Sequence, residues 1–186
     1  MLFINYNKLY GSLLFLLTFY LLSHVTSNAQ TFPQNWLGKW SGTLEIHTAE
    51  GLSQSLPMQL HLLPTDSTHR YTWTIIYGTD TVAGKRAYEL VTLDAAKGWY
   101  AVDEKNTIVM EAYLLGGKLF NRFEVMGNLL LCTTERVGDH LIFEIISGKL
   151  EPVSTTGNQK FKGEDIPPVR AYPVAVRQVA VLKKQL

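Results

Sequence analysis

From Trp36 to about residue 147, apolar side chains recur at every second position, and no stretch holds a convincing helical period. Trp40, Gly42, Leu44 and Ile46 share one face of a first strand, opposite Ser41, Thr43, Glu45 and His47. Met58, Leu60 and Leu62 repeat the pattern, as do Tyr71, Trp73, Ile75 and Tyr77. Successive side chains of a strand point to opposite faces, so a period of two marks a sheet with one buried face. Further strands are predicted at about 88–93, 98–103, 107–114, 118–126, 129–136 and 140–147.

The connections between these later strands are short and carry turn chemistry: Asp103-Glu104-Lys105-Asn106, Gly116-Gly117, Gly127-Asn128 and Gly138-Asp139. Gly and Asn tolerate the positive φ of tight hairpins, so neighbours in sequence are expected to pair antiparallel. Parallel pairing needs crossovers of about a dozen residues or more, for which there is no room. The fold class is therefore all-β, an antiparallel up-and-down meander of about 8–10 strands. Its open edges can be removed by closing into a barrel or hidden by splitting into two packed sheets. Short sequential hairpins favour the barrel.

Residues 1–29 have the pattern of a signal peptide. Lys8 provides a basic start, Leu9 to Leu22 an apolar run, and Ser27-Asn28-Ala29 small side chains before a cut after Ala29. The run is shorter than the roughly 18 residues that span a bilayer comfortably; an uncleaved anchor is the rival reading. No Cys stands near the cut to carry a lipid, and no second apolar stretch is long enough to span. The chain is thus expected to be exported, periplasmic or secreted, with no stable membrane span once the leader is gone.

The remaining residues 30–186 suit one domain with a sizeable core. Lys plus Arg fall from 17 to 16 without the leader and match the 16 acids. A nucleic-acid binder would need a cationic excess to displace counterions, so no nucleic-acid partner is expected. Cys132 is the only cysteine, which excludes a disulfide and a cysteine-built zinc site. The main meander is placed at 36–147. Residues 148–173 contain Pro152, Pro167, Pro168 and Pro173 and predict an extended or mobile connection. Residues 174–186 fit either a closing strand or a short helix.

The mature chain opens with Trp36-Leu37-Gly38-Lys39-Trp40-Ser41-Gly42. This Gly-x-Trp at the start of a first barrel strand resembles the lipocalins and their calycin relatives, including the fatty-acid-binding proteins. The resemblance implies a Trp that plugs one end of the barrel and a Gly that lets the backbone bend before the strand. It further implies an Arg on a late strand that packs across the Trp, for which Arg136 and Arg177 are the candidates. The family's Thr-Asp-Tyr-like loop is missing, since Thr81 follows Thr79-Asp80. The short link from His47 to Ser55 leaves no space for a helical lid, so a lidless barrel of the lipocalin or nitrobindin kind fits better. Haem binding of the nitrobindin kind is not carried over, because no histidine follows His140. What the likeness implies is a barrel able to hold a small apolar molecule.

Catalytic and metal chemistry find little support. His47 and His61 sit on polar strand faces and His69 and His140 beside turns, as solvated histidines do. Asp103-Glu104 lies in a hairpin connection, where acids serve the turn, and no Gly-x-Ser-x-Gly elbow occurs. No cofactor, metal or catalytic group is expected. Counting hairpin registers about residues 127 and 138 sets Arg122 opposite Cys132 and Cys132 opposite Glu144. This row is either an exterior ion-pair ladder or, facing inward, a pair of polar anchors, Arg122 and Glu144, for a ligand head group. Tyr71, Trp73, Tyr77 and Tyr88 are the first candidates to line a cavity, with Trp99 and Phe123. The leading expectation is an exported lipocalin-like protein that binds a small hydrophobic or amphipathic ligand without catalysis. The alternative is a filled barrel that grips an exported protein partner, with residues 149–173 contributing.

Overall fold

The alternating segments form a closed antiparallel barrel of ten strands in the computed structural model, which describes residues 31–185. The chain divides into a leading unit, Met1–Thr31, and a second unit, Phe32–Leu186, whose fold is described here. The expected leader over 1–29 lies outside the described residues.

Nine strands follow one another round the wall: β1 (Gly38–Thr48), β2 (Gly51–Leu62), β3 (Arg70–Tyr77), β4 (Lys85–Asp94), β5 (Trp99–Asp103), β6 (Val109–Leu115), β7 (Lys118–Val125), β8 (Asn128–Val137) and β9 (His140–Lys149). Each pairs antiparallel with the next. Four of the hairpins turn on two residues: 49–50, 116–117, 126–127 and 138–139. The chain then leaves the wall through β10 (Ser154–Thr156), β11 (Gln159–Phe161), β12 (Glu164–Ile166) and β13 (Val169–Ala171). β10 pairs with β13 and β11 with β12, one hairpin nested in the other. The segment expected to be an extended or mobile link is therefore a two-stranded ribbon. Finally β14 (Val176–Lys184) runs antiparallel to both β9 and β1 and closes the ring. The end of the chain is a strand rather than a helix, and the wall is a barrel rather than two packed sheets.

The seam between β1 and β14 explains Gly42. A Cβ there would lie 2.2 Å from the carbonyl oxygen of Val181, so any side chain would force the two backbones apart. Gly38 serves a second purpose. Its φ of +145° favours glycine, and its bare Cα leaves room for the Lys184 side chain. That ammonium stands 5.6 Å from the centre of the Trp40 ring, a cation–π distance. The cation packed on the plug is thus Lys184. Arg136 instead donates to the Asn35 carbonyl, and Arg177 pairs with Glu144 on the outer wall.

One end of the barrel is sealed. A 3₁₀ turn at Gln34–Trp36 precedes β1 and buries Trp36. Trp40 is wholly buried, and its Nε1 donates to the Trp36 carbonyl at 2.9 Å. Phe32 meets Trp36 and Tyr100 edge to face, at 4.7 and 4.9 Å between ring centres. Around this plug Leu60, Leu62, Leu90, Leu119, Leu141 and Leu182 are fully buried. At the opposite end open the loops 78–84 and 104–108, the turn at 126–127 and the ribbon 150–175.

On the outer wall Arg70 bonds Glu89 at 2.7 Å and Asp103 at 3.3 Å, and Lys105 reaches Glu89 at 3.0 Å. The Arg70 hydrogen bond, then that of Lys105, holds the Glu89 carboxyl below its ordinary value. Asp103 is lowered first by the Lys105 backbone N–H and less by Arg70. Both carboxylates have lower pKa values folded than unfolded, so their contribution is complete above the ordinary carboxylate range. It is lost as pH falls through their folded values. Because the groups are partly exposed, it amounts to at most about 1 kcal/mol. Urea midpoints at pH 6 and pH 3 are expected to differ less in Glu89→Gln than in the parent. Equal differences would show the cluster to be energetically silent.

Candidate functional site

The period of two that builds the wall also decides what faces inside. On the β1–β2 side Leu44 and Met58 are fully buried and fill the interior. Against β3 to β9 the filling is incomplete. A cavity of about 160 Å³ remains between Trp73, Ile75 and Tyr77 of β3, Tyr88 of β4, Val102 of β5 and Met110 of β6. Its far wall is Asn121 and Phe123 of β7, Leu130, Cys132 and Thr134 of β8, and Phe143 and Ile145 of β9. Glu104, just past β5, joins the lining in the loop at the open end of the barrel. The cavity is a well between these strands, and the aromatic plug closes the barrel beyond it without lining it.

Four of the eight predicted binding residues line this well: Trp73, Tyr77, Tyr88 and Phe123. Tyr71 points into the sealed end instead, where its hydroxyl accepts from Gln34 Nε2 at 3.0 Å. Trp99 is on the outside, 37% exposed, and its neighbour Tyr100 takes the inward place. The segment Trp99-Tyr100-Ala101-Val102 is apolar throughout, so alternation alone did not reveal its inner face. Tyr100 stands opposite Thr92 and Ala112 in the unbroken register, and the shift in β4 between Thr92 and Asp94 falls at Trp99.

The expected row of Arg122, Cys132 and Glu144 does not form. Asn121, not Arg122, is opposite Cys132, and Thr133, not Cys132, is opposite Glu144. The two-residue turns at 126–127 and 138–139 are centred between residues, and a register counted about one residue is off by one. A slip of one residue exchanges the faces. Arg122 is exposed on the outer wall, and Glu144 lies outside too, bonded to Arg177 Nε at 2.6 Å. Neither lines the well. Cys132 does face inward. Asp103 and Glu104, adjacent in sequence, also part: Asp103 joins the outer ion cluster, and Glu104 joins the mouth of the well.

The lining of the well is mostly apolar, with Glu104 as its one acid. Burial pushes the Cys132 thiol up to about 12, and burial, with Cys132 and Tyr88 nearby, pushes the Tyr77 phenol up to about 12. The Tyr88 phenol is also raised, first by burial and then by the Glu104 carboxylate within hydrogen-bonding reach. These shifts run away from nucleophilic or acid–base work near neutral pH. Among the described residues no three His, Cys, Asp or Glu side chains meet in a way that could hold a metal ion. At pH 8 Cys132 is expected to react with iodoacetamide at least about a hundredfold more slowly than in the urea-unfolded chain. Equal rates would place the thiol outside the well.

In comparisons with known proteins, no family model and no curated protein matches the chain.

Proposed function

We propose that this protein is an exported carrier, periplasmic or secreted, that holds one small hydrophobic or amphipathic molecule inside its barrel and does no chemistry on it. The observation that carries this reading is the aromatic-lined well of about 160 Å³ inside a barrel whose far end is closed by Trp36 and Trp40. Binding sites for drug-sized molecules run to about 300–1,000 Å³, whereas an apolar cavity of about 150 Å³ accepts benzene. The occupant is therefore small, a single ring or a short chain. The Gly38-x-Trp40 plug under a late-strand cation supports a lipocalin-like character for the barrel. Native mass spectrometry of the protein purified from its own host, followed by denaturing extraction, tests the proposal. A stoichiometric small molecule supports it. A clean unliganded mass, with Trp fluorescence unmoved by single-ring probes at millimolar concentration, would sink it.

A second reading rests on the ribbon. Its strands are almost wholly exposed, and Phe161, 60% exposed, stands near its tip with Val153 and Val169 uncovered farther back. A two-stranded ribbon with free edges and apolar side chains suits the capture of an exported protein. Replacing residues 152–172 by a short Gly-Ser link separates the readings: a carrier keeps its ligand, and an interaction module loses its partner.

A further inference from the structure

Two polar side chains are set into the apolar wall of the well. Asn121 is 9% exposed and Thr134 only 3%. Asn121 faces Cys132 across the β7–β8 ladder, and Thr134 is the next inward residue along β8. The three make a small polar patch, with Trp73, Phe123 and Phe143 among the apolar groups lining the same space. One N–H of the Asn121 amide is committed to the Glu111 carbonyl at 2.9 Å. Among the described residues the Asn121 carbonyl oxygen and the Thr134 hydroxyl have no protein partner, and neither is sealed off from the cavity. Polar groups that face a cavity without a protein partner take their hydrogen bonds from what enters it.

Charge narrows the choice further. The one acid of the lining is Glu104 at the mouth, and no Lys, Arg or His lines the well. Arg86, a charge neighbour of Tyr77 and Tyr88, is exposed and donates to the carbonyls of Ala83 and Lys85. A carboxylate in the well would be stripped of water with no counter-charge beside it. A neutral donor would meet an amide oxygen and a hydroxyl already in place.

Resting on the carrier reading above, we infer that the well selects a small, neutral, single-ring molecule bearing one hydroxyl or N–H, seated on Asn121 and Thr134, and rejects carboxylates. Phenol, toluene and benzoate are matched probes that differ in polarity and charge. By calorimetry, phenol is expected to bind at least tenfold more tightly than either of the others. Thr134→Val and Asn121→Leu should each bring phenol down to the level of toluene while toluene binding is kept. Thr134→Val changes shape least and guards against a misfolded Asn121 variant, with thermal melts as the check on both. Toluene binding as tightly as phenol would overturn the polar subsite and leave the carrier reading standing. Benzoate binding most tightly would overturn it too, in favour of an anion site led by Arg86. If none of the three binds at millimolar concentration, the carrier reading falls with it.

Discussion

Trp40→Ala is expected to lower the stability of the barrel by about 3–5 kcal/mol, the usual range for deleting a buried indole. Trp40 is wholly buried, its Nε1 satisfies the Trp36 carbonyl, and its ring carries the Lys184 ammonium. Removing it leaves a void in the sealed end of the barrel and leaves that carbonyl without its donor. It also loosens the 3₁₀ turn that closes the end. Domains of this size hold about 5–15 kcal/mol in total, so the variant should melt many degrees below the parent. Trp40→Phe should fall between the two, because it keeps most of the apolar volume and loses only the hydrogen bond and ring size. Urea unfolding followed by far-UV dichroism measures both. An alanine variant melting within about a degree of the parent would mean that Trp40 is not the plug.

A chain that stops at Ala175 is expected not to fold cooperatively at all. β14 pairs along eight residues with β1 and along eight with β9, and it buries Ala180 and Leu182 in the core. Without it the barrel opens, β1 and β9 become free edges, and the sealed end loses one wall. Free edges of this length template pairing with other chains, so the truncated protein should run as oligomers in gel filtration and unfold over a broad range of urea. A monomer with the parental midpoint would show that ring closure contributes little. Restoration of a sharp transition by a peptide of residues 174–186 would confirm that the missing element is this strand.

Both expectations concern parts of the fold that the sequence announces with different clarity. The plug is local: Gly38-x-Trp40 sits at the start of a strand whose alternation is clean, and its burial follows from that face. The closing strand is not local, because Val174-Ala175-Val176-Arg177 reads equally as strand or helix. Only two flanking strands with unpaired edges decide it. The ribbon of 150–175 is similar. Its prolines suggest an open link, and it becomes a hairpin because its two halves find each other across the Lys162-Gly163 turn.

The candidate site shows the same division at finer scale. Trp73 and Tyr77 were legible as lining residues because β3 alternates cleanly, and Phe123 because its neighbours Arg122 and Glu124 are charged. Trp99 and Tyr100 were not separable, since both are aromatic and the strand is short. Asn121 and Thr134 carried no signal that set them apart, and Cys132 was singled out in a row whose inner or outer face stayed open. Their meaning comes from lying inside, and that depends on turns centred between residues rather than on them.

By itself, then, the sequence determined an antiparallel meander, its hairpin neighbours and its aromatic plug, all of which follow from a period of two and from turn residues within a few positions. Which face of each later strand looks inward, how the ring closes and that a well survives inside it were decided only by tertiary structure. Those features depend on cross-strand register and on volume summed over ten strands, and a shift of one residue reverses the first while changing nothing in the local pattern.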